Sequence, residues 1–216
     1  MKELAYGASH EINNPLANIA ARAQTLLKRE ADADKRKMLE AIHRQAMRAH
    51  EMISDLMLFA RPPKLQPSVF DIGEMLSGLV GELEGRAAEA SVTIALAVDG
   101  QPLVNADRVQ AEVAVKAVLE NSLDAMGAGG QIAVSAYAEP PGMVAVTIRD
   151  NGPGIPAEVR EHLFDPFFSG REAGRGLGFG LSKCWRIVTD HGGRVEALAD
   201  SAPGACFKIT LPAGAV

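Results

Sequence analysis

The sequence predicts an α+β chain in two parts. An N-terminal two-helix hairpin would join a second copy in a four-helix bundle, and an α/β sandwich would follow it. Three observations carry this expectation. Apolar residues recur every three or four positions from residue 1 to about residue 61. A proline-rich break follows at Arg61-Pro62-Pro63-Lys64-Leu65-Gln66-Pro67. Beyond it, strand-like and helix-like segments interleave.

The first helix carries Leu4, Ala8, Ile12, Leu16, Ile19, Ala23 and Leu26 on one stripe. The second carries Leu39, Ile42, Ala46, Ala49, Ile53, Leu56 and Ala60 in strict 3-4 alternation. The charged Lys28-Arg29-Glu30 and the Asp32 to Lys37 region supply the turn. A lone hairpin buries little, so a homodimer is the simplest way to cover both stripes. After the 62–67 linker, strands are expected at Ser91 to Val98, Gln131 to Ala138, Met143 to Asp150, Arg194 to Ala199 and Cys206 to Leu211. Val144, Val146 and Ile148 alternate with Ala145, Thr147 and Arg149, the period-2 mark of a half-buried strand. Helices are expected at about Ile72 to Ala88, Asp107 to Met126 and Gly176 to His191. The domains are therefore 1–61, a linker at 62–67, and 68–216.

A length of 216 residues suits one or two domains, with 47% hydrophobic and 23% charged residues in the ordinary soluble range. A formal charge of −5 argues against broad binding to nucleic acid or to an anionic membrane. Cys184 and Cys206 are too few and too scattered for a disulfide framework or a zinc site, which points to a reduced, cytoplasmic chain. No apolar run approaches the roughly 18 residues of a membrane span, and the N-terminus has no signal-peptide pattern.

Three segments carry chemistry. Ser9-His10-Glu11-Ile12-Asn13-Asn14-Pro15-Leu16 sets an imidazole beside a carboxylate on the first helix. His10 lies two residues from Ala8 and from Ile12, about 200° around the helix from each, so it faces away from the apolar stripe. A neutral imidazole can accept a phosphoryl group on nitrogen and release it again. Glu11 can take a proton from the ring and orient it. Asn14, one turn on, shares roughly the same face. Pro15 leaves the carbonyl of Glu11 without a donor and should bend the helix there. Secondly, Asp150-Asn151-Gly152-Pro153-Gly154 ends a strand in a sharp turn where Gly152 and Gly154 let the backbone approach a ligand closely. Thirdly, Gly174-Arg175-Gly176-Leu177-Gly178-Phe179-Gly180 precedes a helix, whose exposed N–H groups and dipole suit a triphosphate. Its spacing differs from both the P-loop and the dinucleotide fingerprint.

Together with Asn121 in Val118-Leu119-Glu120-Asn121-Ser122-Leu123-Asp124-Ala125, these motifs resemble those of the two-component sensor histidine kinases over nearly the whole chain. The resemblance implies an ATP- and Mg²⁺-dependent kinase core that phosphorylates itself on His10 and passes the phosphoryl group to an aspartate of a response-regulator receiver domain. Glu11 would assist that step, and Glu11 and Asn14 would act in dephosphorylating the partner. Asn121 would hold Mg²⁺ through its side-chain oxygen. Asp150 would accept a hydrogen bond from the adenine amine, and Gly152, Gly154, Gly174, Gly176 and Gly178 would shape the nucleotide loops. Arg171 is the candidate for a γ-phosphate contact. Leu163-Phe164-Asp165-Pro166-Phe167-Phe168 would anchor a lid, and Gly204-Ala205-Cys206-Phe207 would close the site. The ATP domain would swing on the 61–67 linker to reach His10.

Three positions depart from the family pattern. Ala117 stands where a second Asn is usual; either metal binding is weaker or water and Glu120 compensate. Arg175 replaces a common Thr, and either contacts phosphate or lies solvated in the lid. Ala205 replaces a Thr, removing one hydroxyl near the adenine. The His motif starts about ten residues in, so a sensor domain is expected to be separate or trimmed from this chain. Two other functions stay in view. An ATPase clamp resembling DNA gyrase or the mismatch-repair ATPases would explain Asn121 and Asp150 but not His10, and it calls for a Glu where Ala117 stands. A non-catalytic dimeric adaptor would explain the three departures. His43, His50, His162 and His191 are read as surface or helix-end residues.

Overall fold

A computed structural model of the chain describes residues 2–60, 63–166, 168, 178–199 and 203–214, without the side chains of 2–11, 51 and 55–60. The chain divides into two compact units, Met1–Pro63 and Lys64–Val216.

The first unit is a hairpin of α1 (Lys2–Leu27) and α2 (Ala33–Ala60). α1 runs unbroken through Pro15. The turn is closed by its charged residues. Asp32 Oδ1 accepts from the N–H groups of Asp34 and Lys35 at 2.9 and 3.0 Å, satisfying two otherwise orphaned donors where α2 begins. Arg36 donates back across the turn to the carbonyls of Leu27 and Glu30. The helices meet through small residues: Ala20, Ala23 and Ala46 are the fully buried apolar ones among the described side chains. Ile12, Ile19, Leu26 and Ile42 of the anticipated stripe stay 45–57% exposed.

The second unit has a five-stranded sheet in the order β2-β4-β5-β7-β6. Its strands are β2 (Val92–Val98), β4 (Gly130–Glu139), β5 (Met143–Asp150), β7 (Cys206–Pro212) and β6 (Arg194–Ala197). Only β2 and β4 run parallel; the other neighbours are antiparallel. Helices α3 (Ile72–Glu89), α4 (Arg108–Met126) and α6 (Gly180–Asp190) pack on it. Alternate residues face them: Ile132, Val134, Ala136, Val144, Val146, Ile148, Phe207 and Ile209 are all at most 2% exposed. The opposite face carries polar cross-strand pairs, Ser135 with Thr147 at 2.6 Å and Lys208 with Glu139. This is the two-layer α/β sandwich that the interleaved pattern implied.

A second, two-stranded sheet pairs β1 (Ser68–Asp71) with β3 (Leu103–Ala106), and a one-turn α5 spans Ala157–Arg160. None of these three was anticipated, because four residues are too few for a periodic signal. The strand expected to reach Ala199 stops at Ala197. The helix expected from Gly176 starts at Gly180, after Gly178 takes a left-handed φ of 70° that a helix cannot continue.

Candidate functional site

β5 delivers Asp150 to the end of the sheet, where the residue is 2% exposed. Its backbone N–H donates to the carbonyl of Ala205 at 2.9 Å. Its Oδ1 accepts two N–H groups, from Gly152 and Ala205, both at 3.0 Å. That oxygen is fully engaged, and the carboxylate is therefore fixed in rotation. Its Oδ2 is buried and meets no hydrogen-bond donor among the described residues. A buried acceptor without a donor is costly, by about 1–3 kcal/mol, unless a ligand supplies one.

Glycine makes this arrangement possible. A Cβ on Gly204 (φ 93°) would lie 1.8 Å from the carbonyl oxygen of Asp150, so only hydrogen fits there. A Cβ on Gly154 (φ 79°) would stand 3.1 Å from the carbonyl of Gly204. Asn151 fastens the turn to β4: its N–H donates to Gln131 O and its Oδ1 accepts from Gln131 N–H at 2.8 Å. Arg160 of α5 donates to the carbonyls of Ile155, Ala197 and Leu198, tying the following segment to the end of β6. Asn151 and Arg160 are supports that the sequence motifs did not single out.

α4 passes beside this turn, with Met126 lying 3.2 Å from where a Cβ of Gly152 would be. Asn121 sits half-buried on the same helix. One turn earlier, Ala117 offers no oxygen. Glu120, the suggested substitute, instead pairs with Arg86 of α3 at 3.5 Å, and Asp124 shares that arginine. Among the described residues no cluster of three or more His, Cys, Asp or Glu side chains could hold a metal by itself. Asn121 carries an amide oxygen, a ligand type that suits a hard cation such as Mg²⁺.

The start of α6 forms the other wall. Gly178 precedes it, Phe179 occupies its N-cap position without a side-chain cap, and Ser182 Oγ donates to the carbonyl of Phe179 at 3.1 Å. The N-cap residue of α6 thus supplies no capping side chain. Behind the site, Asp107 caps α4, accepting from Gln110 N–H, while its own N–H donates to His191 Nε2 at 2.9 Å. Nε2 must therefore lack a proton, and His191 Nδ1–H donates to Ile187 O at 2.8 Å. The histidine read as an ordinary helix-end residue is a buried clamp between α4 and α6.

The structure thus brings Asp150, Gly152, Gly154 and the α4 helix of Asn121 together, with Gly178 at the head of α6. Arg171, Gly174, Gly176 and Phe167 lie outside the described residues. In the hairpin, His10, Glu11 and Asn14 fall on the continuous α1, with positions 10 and 14 one turn apart. The side chains of His10 and Glu11 lie outside the described ones; Asn14 is exposed.

Comparison with known proteins decides which use of this geometry applies. Residues 106–215 match the histidine kinase-, DNA gyrase B- and HSP90-like ATPase family, and residues 1–64 match the His Kinase A phospho-acceptor domain. The chain belongs to the sensor histidine kinases. It is 35% identical to the C4-dicarboxylate transport sensor protein DctB of Rhizobium meliloti, over 97% of this chain and 34% of that protein. It is 32% identical to the sensor protein FixL of Bradyrhizobium diazoefficiens, over 99% of this chain and 44% of that one. This kinase core spans 24–48% of the length of the first such relatives. Full-length ShkA, crystallised with AMPPNP, superposes with a TM-score of 0.85 at 25% identity, over 100% of this chain and 47% of that one. The phospho-acceptor match accounts for the hairpin, which the ATPase-clamp alternative left unexplained. Among the described residues, no helix of this kinase core is long and apolar enough to cross a membrane.

Proposed function

We propose that this chain binds ATP and Mg²⁺ in the 68–216 domain and phosphorylates itself on His10. The observation that carries the nucleotide assignment is Asp150: one oxygen locked by two N–H groups, the other buried and without a donor among the described residues. An exocyclic amine supplies the donor that oxygen lacks. Asn121 would hold Mg²⁺, whose charge would offset that of the phosphates, and Arg171 would meet the γ-phosphate.

In the reaction, the unprotonated ring nitrogen of His10 attacks the γ-phosphorus. The bond from that phosphorus to the β,γ-bridging oxygen breaks, ADP departs, and the proton on the other ring nitrogen is drawn toward Glu11. Positioning and charge stabilisation carry most of such a transfer, because its transition state is loose. The aspartate carboxylate of a response-regulator receiver domain then attacks that phosphorus and the N–P bond breaks, while Glu11 and Asn14 serve the opposing phosphatase step, in which water hydrolyses the aspartyl phosphate. The domain would reach His10 by moving on the 62–67 linker. We assign the functional unit as a cytoplasmic homodimer whose signal comes from a sensor domain. The half-exposed Ile12, Ile19, Leu26 and Ile42 support the dimer.

Incubation with γ-labelled ATP and Mg²⁺ tests the proposal. Wild type should acquire acid-labile, alkali-stable label, and His10→Gln should acquire none. Equal labelling of the two would overturn it, and phosphate release without any phosphoprotein would favour an ATPase clamp.

A further inference from the structure

Ser122 is completely buried on α4, with 0% of its surface exposed, and its Oγ has no hydrogen-bond partner among the described residues. The sequence offered no reason to separate it from any other helix serine. Packing does. Met126, one turn further along the same helix, stands 3.2 Å from where a Cβ of Gly152 would be, and Gly152 N–H is one of the two donors that fix Asp150 Oδ1. α4 packs on β5 itself. Two buried polar atoms without partners among the described residues, Ser122 Oγ and Asp150 Oδ2, are thus carried by two elements that converge at one end of the sheet. On the other side of Asp150, Ala205 donates its N–H to Oδ1 but has no hydroxyl.

We infer that Ser122 is a specificity-determining residue for the nucleotide base, its hydroxyl donating to ring nitrogen N1 of adenine directly or through one ordered water. The chemistry of the pair fits that edge. A carboxylate oxygen only accepts, whereas a hydroxyl donates. Adenine presents an amine donor beside the N1 acceptor, so Asp150 takes the first and Ser122 the second. A water between them preserves most of the contact. A serine buried for packing alone gains nothing from its oxygen and carries the cost of an unmet donor. This inference rests on the assignment of the site to an adenine nucleotide.

The test compares ADP with 1-deaza-ADP, in which a C–H replaces N1, by calorimetric titration of the full chain; neither nucleotide can transfer a γ-phosphoryl group. Wild type should bind ADP roughly three- to tenfold more tightly than the 1-deaza analogue, the size of one net hydrogen bond. Ser122→Ala should bind both equally, at the weaker level. Its nucleotide-free thermal midpoint should be unchanged or higher, because the substitution removes an unmet hydroxyl without changing the packing much. A Ser122→Ala protein that keeps the wild-type preference overturns the inference, as does a wild type that binds ADP without preference; the nucleotide site then still stands. A folded wild type that binds neither overturns both.

Discussion

The two units differ in what fills their interiors. The α/β unit closes over large side chains, with Phe207, Ile72, Leu76, Leu79, Leu119, Ile132, Ile148 and Ile209 all under 2% exposed. In the hairpin the buried described apolar residues are alanines, while four large members of its apolar stripe are about half exposed. At about 25 cal/mol per Å², alanine contacts contribute little burial energy and half-exposed isoleucines leave much of theirs unrealised. The α/β unit is therefore complete as a fold, and the two buried oxygens left without a partner among its described residues, Ser122 Oγ and Asp150 Oδ2, lie on elements that meet at one end of the sheet. The hairpin has an exposed apolar surface, which a second copy would cover. The unmet groups of the α/β unit are polar, and the surface the hairpin leaves uncovered is apolar.

Substitutions can break this contrast on either side. The largest effect should come from Gly204→Ala. A methyl group there would meet the Asp150 carbonyl at 1.8 Å in a left-handed backbone, costing the α/β unit roughly 3 kcal/mol. Chemical denaturation should show the loss in that unit's transition. Next is Asp150→Asn. The amide cannot satisfy both sides: its oxygen is needed by the two N–H groups at Oδ1, which leaves an NH₂ facing the adenine amine. ADP affinity should fall roughly a hundredfold while sedimentation still reports the wild-type oligomer. An unchanged affinity would remove the base from this site.

Ile42→Lys should do the converse. It puts a charge on the half-exposed stripe and should weaken self-association about tenfold or more, with ADP affinity unaltered. Self-association that ignores the substitution would place the dimer contact elsewhere. The smallest effect belongs to Asp107→Asn. The backbone N–H of Gln66, with help from Gln110, holds the Asp107 carboxyl below the usual carboxylate range, against the effect of burial. A lowered folded value means the stabilisation is fully present above the unfolded value of about 4, and disappears as pH falls through the folded value. The wild type should therefore exceed Asp107→Asn in stability at neutral pH, and the gap should narrow below about pH 4. A gap that widens on acidification would contradict this sign.

Much of this was legible in the chain. The alternation of Val144, Val146 and Ile148 locates β5 at Met143–Asp150, because a one-sided sheet forces period two on its strands. The Asp150 turn and the glycines around it announce a close backbone approach. What the sequence hid depends on contacts across the fold. Which stripe residues close within the hairpin and which stay exposed is decided by how two helices face each other, and the heptad alone treats them alike. Ser122 and His191 became notable only through burial and through a hydrogen bond spanning 84 positions, from Asp107 to His191. Glu120 reads as a spare metal ligand in the sequence, whereas in the fold it pairs with Arg86.

The most direct measurement is to incubate the full chain with ATP and Mg²⁺, cleave it between the two units and map the phosphoryl group by mass spectrometry under alkaline conditions. The expected result is N-phosphohistidine at His10 in the hairpin fragment and none in the 68–216 fragment. Phosphate released with neither fragment modified, or a phosphoryl group on any other residue, would contradict the division of labour between nucleotide site and phosphoacceptor helix.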